Sequence, residues 1–352
     1  QEQCWLKRRM GVCREVTAIV WATIAGVCVN LQVVGISVLD RSSANDVRCL
    51  FYVGTGCFVV SFLWLLLVAL FARGDQPRRP RQRWYLYGGL LQVSIFGTIP
   101  AGTVIGFQVV LLLLFIGAVG AAILLDQRAR LGIHRTRRSI VGLFLLCASA
   151  ALEAVDAYRV VEGSSSVVVL SCAAMLACGA LATLQARMSE LLADDLGSTP
   201  RSAAVGNLLT CIVALPMCVL WHSFARAPYH IDVNQWWLWL LLGLATAFCV
   251  QTFVDLPKIF GYSTVFGLAW AGNLASSLAL GHLGLLEPVR SWSVWRCVSA
   301  GVAAVGAALC VTKPAALALP REAAGDCRPL IDTIPSMLSS DSESPVSWFN
   351  GI

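Results

Sequence analysis

Ala25-Gly26-Val27-Cys28-Val29-Asn30-Leu31-Gln32 and Cys178-Gly179-Ala180-Leu181-Ala182-Thr183-Leu184-Gln185 are the two stretches that decide how this chain folds. Each lies in the first apolar segment of a run of five, and their Leu-Gln pairs stand 153 positions apart. One run extends from about Thr17 to Val155, the other from about Val167 to Thr312. Five is odd, so a second copy built on the same plan enters a bilayer from the opposite side. Two inverted repeats of this kind place a substrate site between them.

The composition sets the solvent. Of 352 residues, 57% are hydrophobic and 13% charged, against roughly 25% charged in a soluble domain. A helix needs about 20 apolar residues to cover the hydrocarbon core. Ten segments are read on that basis, at 16–39, 50–72, 84–99, 102–125, 139–156, 166–192, 203–222, 236–255, 259–280 and 294–312, the third of them short. Their apolar runs are continuous rather than alternating, which argues against a β-barrel. The expected fold is an all-α membrane protein, with a basic N-terminal segment 1–15, a first repeat 16–157, an external linker 158–165, a second repeat 166–313 and a disordered tail 314–352.

The net charge of +6 reports topology rather than nucleic-acid binding. Short loops rich in Lys and Arg stay in the cytoplasm. Lys7, Arg8, Arg9 and Arg14 precede the first segment, and further arginines fill the links after the second and the fourth. The alternate links hold only Arg41, Arg48 and Arg159. Both termini are therefore expected in the cytoplasm. The 14 cysteines form no CxxC pair and no cluster at metal-ligand spacing, so they read as small packing residues, and no cofactor or metal is expected.

Several motifs in order carry a resemblance. In the second half these are Gly179, Leu184-Gln185-Ala186-Arg187, Gly197 and Pro200, the aromatic start Trp236-Trp237-Leu238-Trp239 with Gly243, Pro257-Lys258-Ile259-Phe260-Gly261, Ala271-Gly272-Asn273 and His282-Leu283-Gly284. The first half answers with Gly88-Gly89, Pro100-Ala101-Gly102, Gly117-Ala118 and Leu125-Asp126. The chain resembles the YdcZ-type inner-membrane exporters of the drug/metabolite transporter superfamily over about residues 17–313, as two five-helix repeats in tandem. The resemblance implies a transporter without naming a cargo. Two departures stand out: Gly117-Ala118 where the family shows Gly-Gln, and Gly281 where it shows an Asp that the first half keeps as Asp126.

Polar groups in hydrocarbon are costly unless partnered, so they mark helix contacts or a pathway. Gln32 and Gln185, as repeat equivalents, are expected to line a central cavity, with Asn30, Gln108 and Asn273 as further pathway residues. Asn30 and Gln32 are about 200° apart around one helix and so face different neighbours. Glu153 is the one acid positioned to couple a proton. Pro100 and Pro257 open helices where a missing N–H is harmless, and Gly102 and Gly261 accompany them as hinge or entry positions. Amides rather than acids suit neutral or zwitterionic cargo.

In the tail, Asp326 with Leu330 and Ile331 has the form of an acidic dileucine sorting signal, which points to the plasma membrane or an endosomal or lysosomal membrane of a eukaryotic cell. The expected activity is alternating-access transport of a small metabolite or drug-like molecule, and no enzyme motif is present. The expected partners are a small-molecule substrate, the bilayer and, as one option, a second copy in a homodimer. The competing reading is a membrane scaffold or sensor that keeps the fold without the cycle.

Overall fold

Twenty-residue apolar runs satisfy their backbone hydrogen bonds internally, and in this chain they do so as helices. In the computed structural model of the protein the described residues are 16–32, 35, 47–71, 80–105, 107–128, 133–158, 165–224, 236–282 and 294–310. The chain separates into two units, Gln1–Lys313 and Pro314–Ile352. The second unit, with the sorting-signal residues Asp326, Leu330 and Ile331, lies outside the described residues, as does most of the expected linker 158–165.

The helices are α1 (Val16–Gln32), α2 (Val47–Phe71), α3 (Tyr87–Leu91), α4 (Thr98–Ile105), α5 (Phe107–Arg128), α6 (Ile133–Tyr158), α7 (Ser165–Leu196), α8 (Thr199–Phe224), α9 (Trp236–Asp255), α10 (Pro257–Phe260), α11 (Tyr262–His282) and α12 (Val294–Cys310). Each of the ten apolar segments is helical in its described residues, apart from a break at Gly261 in the ninth. Among the described residues, five stretches are long and apolar enough to cross a membrane, namely Phe51–Phe71, Val109–Asp126, Ser166–Leu196, Thr199–Leu220 and Trp236–Phe260. The short third segment is not one continuous α-helix. It runs as 3-10 turns at Arg83–Leu86 and Gln92–Gly97 on either side of α3, then passes into α4.

Packing orders these helices. α5 lies against α7, α6 and α11, α6 against α12, and α2 against α8 and α9. The largest buried cluster joins α5 and α11, with Leu112, Phe115 and Val119 meeting Phe266 and Trp270, and draws in Leu146 and Ala303 from α6 and α12. The outward faces stay apolar: Leu63, Leu70 and Phe71 of α2 are exposed, as expected for side chains against lipid rather than water.

Contacts recur between the halves at nearly constant spacing. Phe115 and Trp270, 155 positions apart, are in ring contact at 5.2 Å. On α6 and α12 the hydroxyls of Ser149 and Ser299 lie 3.0 Å apart. A Cβ at Gly306 would sit 2.8 Å from the Gly142 carbonyl. Gly142 and Ser299, like Ser149 and Gly306, are 157 positions apart.

Candidate functional site

Two helix crossings bring backbone against backbone, and glycine makes both possible. Where α1 meets α11, a Cβ on Gly26 would lie 1.7 Å from the Ala269 carbonyl oxygen, and one on Gly272 would lie 1.9 Å from that of Thr23. Where α7 meets α5, a Cβ on Gly179 would lie 1.8 Å from the Leu114 oxygen, and one on Gly117 would lie 2.0 Å from that of Leu176. Small residues at membrane helix contacts permit this approach, where van der Waals contact and buried hydrogen bonds hold the helices.

The α1–α11 crossing carries the polar side chains expected of a pathway. Asn30 is fully buried. Its Nδ2 donates to the Asn273 carbonyl and to Ser276 Oγ, the latter at 2.7 Å. Ser276 also donates to the Gly272 carbonyl of its own helix at 2.9 Å. Sequence reasoning anticipated only that local bond. The side-chain oxygens of Asn30 and Asn273 are both buried with no hydrogen-bond partner among the described residues, and so is the indole Nε1 of Trp270. A buried polar atom left unpaired costs about 1–3 kcal/mol, so the two oxygens favour whatever brings them a donor and the indole N–H whatever brings it an acceptor. The equivalent α7–α5 crossing is plainer: Thr183 Oγ1 donates to the Ala118 carbonyl at 2.9 Å.

Gln32 turns the other way, toward α9, where its Nε2 donates to Thr246 Oγ1 at 3.0 Å. The structure therefore brings Asn30, Asn273 and Ser276 together and places Gln32 at a separate contact. Gln185 is half-buried on α7, and its backbone carbonyl oxygen would lie 3.4 Å from a Cβ on Gly88 of α3. The spacing recurs here too. Cys249 Sγ lies 3.3 Å from the Ala25 carbonyl, and Cys178, 153 positions after Ala25, lies 3.3 Å from the Ser94 carbonyl. Gln108 and Glu153 sit on α5 and α6, and Pro100 on α4, but their side chains fall outside the described set. Gly102 is buried within α4.

A second polar assembly gathers at the end where α5 and α7 finish and α11 begins. Pro257 is the first residue of the short α10. Gly261 then breaks the helix with φ +83°, a conformation that costs an L side chain but not glycine. The break frees the first N–H groups of α11, and Asp126 takes them. Its carboxylate accepts from the backbone N–H of Tyr262 at 3.0 Å, from that of Ser263 at 2.8 Å and from Ser263 Oγ at 2.5 Å. The Tyr262 hydroxyl donates to Glu190 Oε2, which also accepts from Arg187 Nη1 at 2.8 Å. Lys258 pairs with Asp194 at 2.6 Å, and Arg81 with Asp195 at 3.3 Å. The i,i+3 spacing of Arg187 and Glu190 announced their pair. The ties of Asp126 and Tyr262 across helices had no local signal, although the repeat spacing, which sets α5 opposite α11, was a usable one.

Residues 170–309 match the protein family described as "Putative inner membrane exporter, YdcZ". The match agrees with the resemblance carried by Gly179, Leu184-Gln185-Ala186-Arg187, Pro257 and Gly272-Asn273. No curated protein matches the chain. Among solved structures, one described only as "Crystal structure of protein" superposes with a TM-score of 0.59 at 16% identity, covering 82% of this chain and 95% of that one. At that identity the likeness is one of fold.

Proposed function

We propose that the protein is a multi-pass transporter of ten spans, built as two inverted five-helix repeats that rock by alternating access and carry a small metabolite or drug-like molecule. The observation that carries this reading is the recurrence of contacts. Gly26–Ala269 answers Gly179–Leu114, Gly272–Thr23 answers Gly117–Leu176, and Asn30–Asn273 answers Thr183–Ala118. The partners in each answering pair of contacts differ by 153 or 155 positions. Such reciprocity is what an internal two-fold in the membrane plane requires, and that symmetry underlies alternating access in transporters of inverted repeats.

On this reading the loops rich in Lys and Arg keep both termini in the cytoplasm, and the Asp126 end is the cytoplasmic one. The pathway runs beside Asn30, Asn273, Gln32 and Gln185. The unpaired oxygens of Asn30 and Asn273 suit a neutral or zwitterionic cargo that offers hydrogen-bond donors. Glu153 is the proposed proton carrier, and Pro100 with Gly102 and Pro257 with Gly261 are equivalent helix entries that flex during the cycle. The alternative is a scaffold or sensor that keeps the fold without cycling, a reading favoured by Ala118 and Gly281 where the family resemblance implies Gln and Asp.

A thermal-stability screen of the purified protein against metabolites, cationic drugs and pH tests the reading, with the Gln32→Ala/Gln185→Ala double mutant alongside. A ligand of the folded state raises the melting temperature by mass action. The expected result is a neutral or zwitterionic hit whose shift shrinks in the double mutant. A hit that survives the double mutant moves the site away from these glutamines. A chemically broad panel with no hit favours the scaffold.

A further inference from the structure

Three buried side chains hold polar atoms without a hydrogen-bond partner among the described residues, and their kinds differ. Asn30 Oδ1 and Asn273 Oδ1 are acceptors, and Trp270 Nε1 is a donor. The three residues are 0%, 3% and 1% exposed, so bulk water does not serve them. Two further such atoms, on Asn207 and Thr252, belong to α8 and α9.

Printed contacts bring the three residues to one place. Asn30 Nδ2 donates to the backbone carbonyl of Asn273, so the oxygen on the same amide carbon stands beside residue 273. Asn273 and Trp270 are three apart on α11, which makes their side chains neighbours, about 60° apart around the axis. α1 packs on one edge of this face, where a Cβ on Gly26 would meet Ala269 and Asn273. α5 packs on the other, where Phe115 is in ring contact with Trp270. Val29, next to Asn30, packs against the same apolar cluster as Trp270. The three residues therefore border one wedge between α1, α5 and α11.

A ligand that completes this set offers two hydrogen-bond donors and one acceptor. An ammonium group or a metal cation suits the two oxygens but confronts the indole N–H. A carboxylate suits the N–H but confronts the oxygens. A zwitterion meets the tally only by bringing both charges into uncharged surroundings. The buried charged side chains among the described residues, Glu190 and Asp195, are already engaged by Arg187 with Tyr262 and by Arg81. A buried ion without a partner costs several kcal/mol. A primary carboxamide or a urea fits without charge, since its nitrogen carries two donors and its carbonyl accepts.

We propose that the wedge between α1, α5 and α11 binds a neutral carboxamide or urea head of the cargo, with Asn30 Oδ1 and Asn273 Oδ1 accepting its N–H groups and Trp270 Nε1 donating to its carbonyl. This rests on the transporter reading above and narrows the cargo from neutral or zwitterionic to neutral. Trp270 becomes a specificity residue, a role its apolar surroundings do not announce. A resident water offers the same donors and acceptor, and the variants below separate the two.

The test follows the melting temperature of the purified full chain against ligand concentration, which yields an apparent Kd for each compound. Two matched sets are used: hydrocinnamamide, hydrocinnamate, phenylpropylammonium and phenylalanine, and butyramide, butyrate, butylammonium and aminobutyrate. On at least one skeleton the carboxamide is expected to bind about tenfold or more tightly than its charged counterparts, each of which forfeits one hydrogen bond or more. Trp270→Phe keeps a ring and removes the N–H, and is expected to weaken the carboxamide about tenfold while leaving the ammonium compound unchanged. Asn273→Asp is expected to reverse the order and place the ammonium compound first. Should Trp270→Phe fold poorly, Asn273→Ala deletes one oxygen yet keeps the backbone carbonyl that Asn30 uses, and a loss of similar size is expected.

A carboxamide that binds equally well to the wild type, Trp270→Phe, Asn273→Ala and Asn273→Asp sits elsewhere, which leaves the wedge to water and overturns the proposal. Preference for an ion or a zwitterion overturns it as well, and leaves a transporter with a different cargo. If neither skeleton binds in any form, the carboxamide head falls, and the transporter reading falls with it only when the wider thermal screen is also without a hit.

Discussion

The crossing of α1 with α11 and the crossing of α7 with α5 share a backbone geometry and differ in polar content. In both, a pair of glycines lets one helix lie on another at a distance that no side chain permits, with the four built Cβ positions falling 1.7–2.0 Å from carbonyl oxygens. The first then carries Asn30, Asn273 and Ser276, with two amide oxygens left unpaired, while the second carries Thr183 bonded to Ala118. The difference teaches that approach and chemistry are set by separate positions. Glycine fixes how near the helices come, and the residue one turn along decides whether the gap holds an interaction that is complete or one that can still accept a donor.

The largest effect is expected where the two crossings agree. Gly26→Val and Gly179→Val each force a branched side chain into a facing backbone, which relaxes only by parting the helices. Overpacking costs about 1–3 kcal/mol where side chains can yield, and here the obstacle is backbone, so the upper end or beyond is expected. Thermal unfolding in detergent should show both variants strongly destabilised and by similar amounts. Gly206→Ala and Gly301→Ala meet nothing within 4 Å, so each should be neutral or gain about 0.5–1 kcal/mol from helix propensity. A tolerated Gly26→Val beside an unfolded Gly179→Val would break the equivalence of the crossings.

A smaller effect separates them. Asn30→Ala removes the donor to the Asn273 carbonyl and Ser276, while Thr183→Ala removes the donor to Ala118. Interhelical hydrogen bonds of this kind average about 0.6 kcal/mol in membrane proteins. Asn30→Ala loses two bonds but also removes an unpaired oxygen, so it should cost at most about 1 kcal/mol, while Thr183→Ala, which loses one bond with nothing to offset it, should cost about 0.6 kcal/mol. The sharper measurement is ligand response. Any compound that raises the melting temperature by binding at the unpaired oxygens should lose its shift in Asn30→Ala or Asn273→Ala and keep it in Thr183→Ala. Equal loss in all three variants would mean that the polar content of the α1–α11 crossing is structural.

These glycines also mark how far the sequence could be read. Gly26 and Gly179 were legible because a matched pattern at matched depth repeats across 153 positions, and the helical segments because continuous apolar runs have one way to satisfy their backbone in lipid. The partition of Asn30 and Gln32 followed from helical rotation alone, and the structure sends them to α11 and α9 respectively. Identity of partners was not legible. Nothing local to Asp126 announces that its carboxylate crosses to Ser263, 137 positions on, nor that Tyr262 reaches Glu190. Such ties depend on which helix ends meet. Likewise the 3-10 turns around α3 leave no mark in hydropathy, which weighs how apolar a segment is and not how it is wound.

The smallest expected effect tests symmetry itself. On α6 and α12, Ser149 and Ser299 share hydroxyls at 3.0 Å, and Ser299 Oγ also donates to the Ser149 carbonyl at 3.1 Å. Both side chains are fully buried. On the proposed repeats neither serine is the equivalent of the other; each corresponds to a glycine, Ser149 to Gly306 and Ser299 to Gly142. One copy of this contact is thus held by a hydrogen bond and the other by close approach of Gly306 to the Gly142 carbonyl. Ser149→Ala should cost about 0.5 kcal/mol and Ser299→Ala, which also loses the bond to the Ser149 carbonyl, about 1 kcal/mol, with the double mutant scarcely worse than Ser299→Ala alone, because the hydroxyl pair is one shared bond. Gly306→Ala, which meets carbonyl oxygen at 2.8 Å, should cost more than either. Were the two serines additive, each would be satisfied independently and the hydroxyl pair would not be what joins α6 to α12. Were Gly306→Ala harmless, the close approach would be incidental, and the two-fold relation would rest on the α1–α11 and α7–α5 crossings and on the ring contact of Phe115 with Trp270.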